Sequence, residues 1–107
     1  MKNESPQIEV GGISLTEIAS EFGTPLYVYD GDKIKEKYRE LTDAFSQVNM
    51  KVKYACKANT NINIMKLLRG EGAGLDTVSI NEIKLGLMAG FSPNEILFTP
   101  NGVSIQE

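Results

Sequence analysis

The chain has 107 residues, 41% of them hydrophobic, and its 11 basic and 14 acidic side chains leave a net charge of −3. One modest core is possible at this size, whereas 107 residues cannot by themselves build a two-domain enzyme or a closed eight-unit α/β barrel. Nine Lys and two Arg are scattered without forming a phosphate-neutralising stripe, so nucleic acid is not an expected partner, and the absence of His excludes Ser-His and Cys-His nucleophile pairs.

Met1 to Pro6 is followed by no apolar run, so no signal peptide is expected, and no stretch approaches a membrane span. A lone Cys56 can form neither an internal disulfide nor the common zinc patterns, which fits a reducing, cytoplasmic setting. Ser14-Leu15-Thr16-Glu17 reads as a capping box that opens a short helix ending at Gly23. Thr24-Pro25 favours extended backbone, and Leu26 to Tyr29 is predicted as a strand closed by Asp30-Gly31. From Asp32 to about Ser46, Ile34, Tyr38, Leu41 and Phe45 recur at helical spacing and predict one buried face, while the run of alternating charge from Asp32 to Glu40 reads as its solvated side.

Lys51 to Cys56 is predicted as a strand, Ile62 to Glu71 as a helix stopped by Gly72, and Leu75 to Val78 as a second strand. Ser79-Ile80-Asn81-Glu82 is another capping box, opening a helix that stops at Gly90, and Ile96 to Thr99 is a third strand. Strands beginning near 52, 75 and 96, bridged by single helices, make parallel βαβ units, so the class is α/β. Such a sheet would leave apolar edges, and Ser104-Ile105-Gln106-Glu107 is a third S-x-x-E box with no helix after it. The expectation is the front part of a larger α/β protein.

Sites in α/β proteins form at the carboxyl ends of strands, which favours Lys57 over Lys51 and Lys53. By strand alternation Lys57, Ala55 and Lys53 share one face, with Cys56, Tyr54 and Val52 on the other. A lysine amine, of reference pKa about 10.4, becomes a nucleophile toward carbonyls when its site lowers that value. On position alone Lys57 stays open between that role and an ordinary surface lysine. Asp76 breaks an apolar strand, and its alternatives are a partner for the Lys57 end of the site or an acceptor for loop amides. Glu82 is accounted for by its cap, Cys56 by a small buried hydrophobe, and Asn61 and Asn63 by turn and N-cap roles. Gly70-Glu71-Gly72-Ala73-Gly74 superficially suggests a dinucleotide fingerprint, but a helix precedes it and a strand follows, the reverse of a phosphate loop.

Three segments carry a resemblance: Gly23-Thr24-Pro25-Leu26-Tyr27-Val28-Tyr29-Asp30, Tyr54-Ala55-Cys56-Lys57-Ala58-Asn59, and Gly72 to Ser79 with Glu82 following. Ile96 to Asn101 adds a weaker match. With these motifs the chain resembles the fold type III decarboxylases that use pyridoxal 5′-phosphate (PLP), and among them the diaminopimelate decarboxylase family. The resemblance implies an N-terminal part of a (β/α)8 TIM barrel of the alanine racemase-like type, without the family's C-terminal β-domain. Residues 1–30 would link to that β-domain, and residues 31–107 would form the first βα units. It implies that Lys57 is the Schiff-base lysine for PLP and that Asp76 belongs to the cofactor's surroundings. It further implies decarboxylation of meso-2,6-diaminopimelate to L-lysine by a homodimer, or of carboxynorspermidine, arginine or ornithine by a neighbouring enzyme. A non-catalytic PLP-binding homologue is the remaining alternative. Where the family commonly shows Ser-Gly-Gly-Glu, this chain has Ser79-Ile80-Asn81-Glu82, which keeps the cap and loses the glycines. No phosphate cradle, pyridinium partner or distal substrate group is identifiable, so these 107 residues alone are expected to have little or no activity.

Overall fold

A computed structural model describes residues 7–107; Met1 to Pro6, on which the signal-peptide expectation begins, lie outside the described residues. The chain divides into two compact units, one reaching Lys33 and one covering Ile34–Glu107.

In the first unit, β1 (Glu9–Val10) pairs antiparallel with β2 (Ile13–Ser14). Gly11 and Gly12 connect them with φ of 60° and 79°, the two left-handed positions that a tight hairpin turn of matching twist requires. The sequence reading missed this hairpin, although the Gly-Gly pair between Val10 and Ile13 signals it. Ser14 caps α1 (Leu15–Phe22), its hydroxyl accepting from the Thr16 N–H at 3.2 Å and not from that of Glu17. No strand forms over Leu26 to Tyr29, in correction of the sequence reading. An extended segment becomes a strand only beside a neighbour, and none of the described strands pairs with this one.

Asp30 accepts the Lys33 N–H at 3.1 Å and starts α2 (Gly31–Ala44). The expected apolar face of α2 is only half used: Ile34 and Tyr38 pack on buried Ile64, Leu68 and Ala73, whereas Leu41 and Phe45 remain exposed. Arg39 closes a two-point ion pair with Glu71 of the next helix, at 2.8 and 2.9 Å, which draws the Glu71 carboxyl below its usual range.

The second unit is built on three parallel strands in the order β3 (Lys53–Ala55), β4 (Gly74–Thr77), β5 (Ile96–Phe98). They are joined through α3 (Ile62–Glu71) and α4 (Ile80–Ala89). Both helices stop the same way. Gly72 and Gly90 take left-handed φ of 105° and 101°, and the amides of Ala73 and Phe91 return to Leu68 and Gly86 carbonyls at 3.1 Å. The buried Ala73 and Phe91 that follow turn the chain back into the core. The glycine-rich stretch from Gly70 to Gly74 is thus a helix end and a strand start.

Leu75, with no exposed surface, packs with Cys56, Met65, Ala89 and Phe91 beneath the helices. Burying Met65 and Leu75 stabilises the unit by about 1.5–3 kcal/mol each. The α4 backbone reaches this layer because Gly86 has no side chain; a Cβ there would collide with Leu75 Cδ2 and come within 3.4 Å of Ile96 Cδ1. Leu75 is enclosed and cannot swing away. Gly86→Ala is therefore expected to destabilise the unit by about 1–3 kcal/mol despite alanine's better helix propensity. A lower midpoint in urea checks this, and an unchanged midpoint contradicts it.

Candidate functional site at the carboxyl edge of the sheet

Register partners Lys53↔Gly74, Ala55↔Asp76 and Asp76↔Leu97 place Lys53, Ala55, Gly74, Asp76 and Leu97 on the sheet face opposite the buried layer. Lys53 lies at the amino-terminal end of this face. Its Nζ is 3.5 Å from the Glu95 carbonyl, and its side chain covers Gly74, where a Cβ would meet Lys53 Cγ at 3.2 Å. That placement resolves how a lysine sits low on the strand and still reaches solvent.

At the carboxyl edge the chain does not continue β3 as far as expected. Cys56–Ala58 form a 3-10 turn, so the alternation that grouped Lys57 with Ala55 stops one residue earlier. Cys56 is nevertheless fully buried, and Lys57 is exposed at the turn. Its amine has no hydrogen bond or ion pair to another described residue. The turn is pinned from several sides. The Tyr54 hydroxyl donates to the Asn59 carbonyl at 2.7 Å, and Asn59 Oδ1 accepts the Asn61 N–H at 2.9 Å. Asn61 then caps α3 by accepting the Asn63 N–H at 2.9 Å, so Asn63 is the donor in this cap and not a cap itself.

Asp76 is the third residue of β4, half-buried, and its Oδ1 accepts the Thr99 hydroxyl at 2.8 Å. It makes no ion pair with Lys57; the partner on its own face is Thr99, just past β5. Backbone pairing holds Thr99 in place, since its N–H donates to the Thr77 carbonyl at 2.8 Å. Lys57, Asp76 and Thr99 thus come from three neighbouring strands at one edge. Sequence reasoning missed Thr99, and the Thr-Pro-Asn that ends the third strand was its only signal.

Glu82 does more than the expected cap. Ser79 Oγ accepts the Glu82 N–H at 3.2 Å and donates back to Oε2 at 3.2 Å, while Oε1 accepts the Val78 N–H at 3.3 Å and the Cys56 thiol at 3.0 Å. Burial, this bond and the negative charges of Glu82 and Asp76 push the Cys56 thiol up to about 12.

Against this geometry stand the relatives. Residues 31–106 match the pyridoxal binding domain of the pyridoxal-dependent decarboxylases. The chain belongs to this family. It is 49% identical over 98% of its length to a diaminopimelate decarboxylase of Methanothermobacter thermautotrophicus, of which it covers 25%. The crystal structure of diaminopimelate decarboxylase from M. jannaschii in co-complex with L-lysine superposes with a TM-score of 0.85 at 32% identity, over 94% of this chain and 24% of that one. The Helicobacter pylori enzyme complexed with L-lysine gives 0.77 at 40% identity, over 83% and 23%. The chain therefore spans about a quarter of the length of the relatives it matches. Its fold is the N-terminal part of a TIM barrel, with β3, β4 and β5 as parallel barrel strands.

The residues at the edge fit a pyridoxal group. Lys57 offers an exposed amine without a competing partner among the described residues, and Asp76 and Thr99 supply a fixed polar pair beside it on the sheet. No described helix is long and apolar enough to cross a membrane.

The folded chain keeps its thiol proton between the ordinary 9.0 and about 12, while the unfolded chain releases it. The contribution is fully present below pH 9.0 and falls away as pH rises through about 12. Cys56→Ala is expected to flatten that part of the stability profile in urea titrations at alkaline pH; parallel profiles for the two proteins would contradict it.

Proposed function

We propose that the protein containing these residues is a PLP-dependent carboxy-lyase that decarboxylates meso-2,6-diaminopimelate to L-lysine in lysine biosynthesis. The observation that carries this reading is the exposed Lys57 amine, held at the carboxyl edge of the sheet inside the segment matching the pyridoxal binding domain. Relatives named diaminopimelate decarboxylase, and their complexes with L-lysine, support the substrate class.

Lys57 would hold the cofactor through its amine, which must be unprotonated to attack a carbonyl carbon. Asp76, oriented by Thr99, would place a carboxylate in the cofactor's surroundings. When bound, PLP supplies an electron sink for the pair left behind by the departing carboxylate. The chain's own contribution is placement. The 3-10 turn presents Lys57, and the Ala55 methyl opposite Asp76 leaves the face between them low.

The same reading makes residues 1–30 the segment that leads to a second domain, and residues 31–107 the first βα units of the barrel. It also makes the protein a cytoplasmic homodimer that binds a small-molecule amino-acid substrate. Carbon dioxide release by the full-length protein with PLP tests the reading. Release is expected to be fastest from meso-diaminopimelate, to be lost in Lys57→Ala, and to be negligible for the 107 residues alone. Preference for carboxynorspermidine, arginine or ornithine would overturn the substrate, and full activity of Lys57→Ala would overturn the assignment.

A further inference from the structure

Glu82 carries more bonds than a helix cap needs. A capping box asks its acidic residue only to reach back to the cap residue, yet Oε1 here reaches across to the end of β3 and accepts a hydrogen bond from the Cys56 thiol at 3.0 Å. The remaining acceptor for that thiol is the Asp76 carbonyl at 3.4 Å, so the carboxylate is the nearer partner for its single proton. Cys56 has no exposed surface and immediately precedes Lys57 within one 3-10 turn. Whatever fixes the Cys56 side chain therefore fixes the backbone from which Lys57 projects.

We propose that Glu82 is a positioning residue for Lys57: anchored at the N-terminus of α4, its carboxylate clamps the Cys56 thiol and so holds the turn that presents the lysine. This rests on the reading of Lys57 as the pyridoxal lysine. The anchor is stiff because every bond on the carboxylate comes from a neighbour fixed by the fold: the Val78 amide, the Ser79 hydroxyl and the enclosed thiol. The helix N-terminus favours the negative charge, and no described cation pairs with it. The clamp also gives position 56 a chemical requirement that burial alone does not impose. A side chain there must be small and must donate a proton, which cysteine and serine do and alanine does not.

The test compares wild type, Cys56→Ala, Cys56→Ser, Glu82→Gln and the Cys56→Ala/Glu82→Gln pair as full-length proteins. Each is mixed with PLP, reduced with borohydride after timed intervals, and mapped by peptide mass. Capture joins Lys57 Nζ to the aldehyde carbon with loss of water, and borohydride delivers hydride to that carbon. Cys56→Ala leaves the α4 cap intact, so its effect reports the clamp and not the helix. Capture on Lys57 is expected to slow about tenfold in Cys56→Ala and Glu82→Gln. It should return to within about twofold of wild type in Cys56→Ser, and the pair should be no slower than Cys56→Ala alone. Alkylation of Cys56 at pH 9 is expected to speed up in Glu82→Gln. Equal capture rates on Lys57 in all five proteins would overturn this inference and leave the proposed function standing. Labelling of wild type away from Lys57 would overturn both.

Discussion

A parallel strand can follow another only after a crossover, and that constraint shapes the second unit more than any single contact. Because β3, β4 and β5 run the same way, the chain must return through α3 and α4 each time, and every strand ends at the same edge. Lys57, Asp76 and Thr99, spread over 43 positions of sequence, meet there for that reason alone. The crossovers also decide which face is closed. Leu75 and Thr77 lie under the helices with no exposed surface, while Asp76 between them must point to the other side. A half-buried carboxylate in an apolar strand follows from the pleat.

The edge is held by small polar devices whose main partners are fixed backbone. Thr99 is fixed through the Thr77 carbonyl before it can orient Asp76, and Tyr54 reaches past the turn to the Asn59 carbonyl. Glu82 ties the buried end of β3 to the start of α4. An exposed lysine is thus presented on a hydrogen-bonded turn. Burial of Cys56 and exposure of Lys57, one residue apart, are two consequences of the same turn.

Much of this was legible in the sequence because local signals agreed with the global fold. The bounds of α3 and its stop at Gly72 follow from apolar spacing and a C-terminal glycine, and Ser79 and Glu82 announce α4. The family could be read from Tyr54 to Asn59 and from Gly72 to Ser79, and the match over residues 31–106 bears it out. Other features depend on partners that a linear reading cannot supply. The hairpin at Gly11-Gly12 involves strands of two residues, too short to show periodicity, and Leu26 to Tyr29 has strand propensity without a neighbour. The bond between Cys56 and Glu82 joins positions 26 apart in sequence and becomes visible only when β3 and α4 are set side by side. Leu41 and Phe45 carry the right spacing for a buried face yet stay exposed, since periodicity states which side of a helix is apolar and not what covers it.

The central claim is that one lysine of nine is the pyridoxal lysine, and the most direct measurement is peptide mass mapping of the protein after incubation with PLP and borohydride reduction. The account predicts one added pyridoxyl group per chain, on the peptide that contains Lys57, and none in Lys57→Ala. A stoichiometric label on any of the other eight lysines, or an undiminished label in Lys57→Ala, would contradict it.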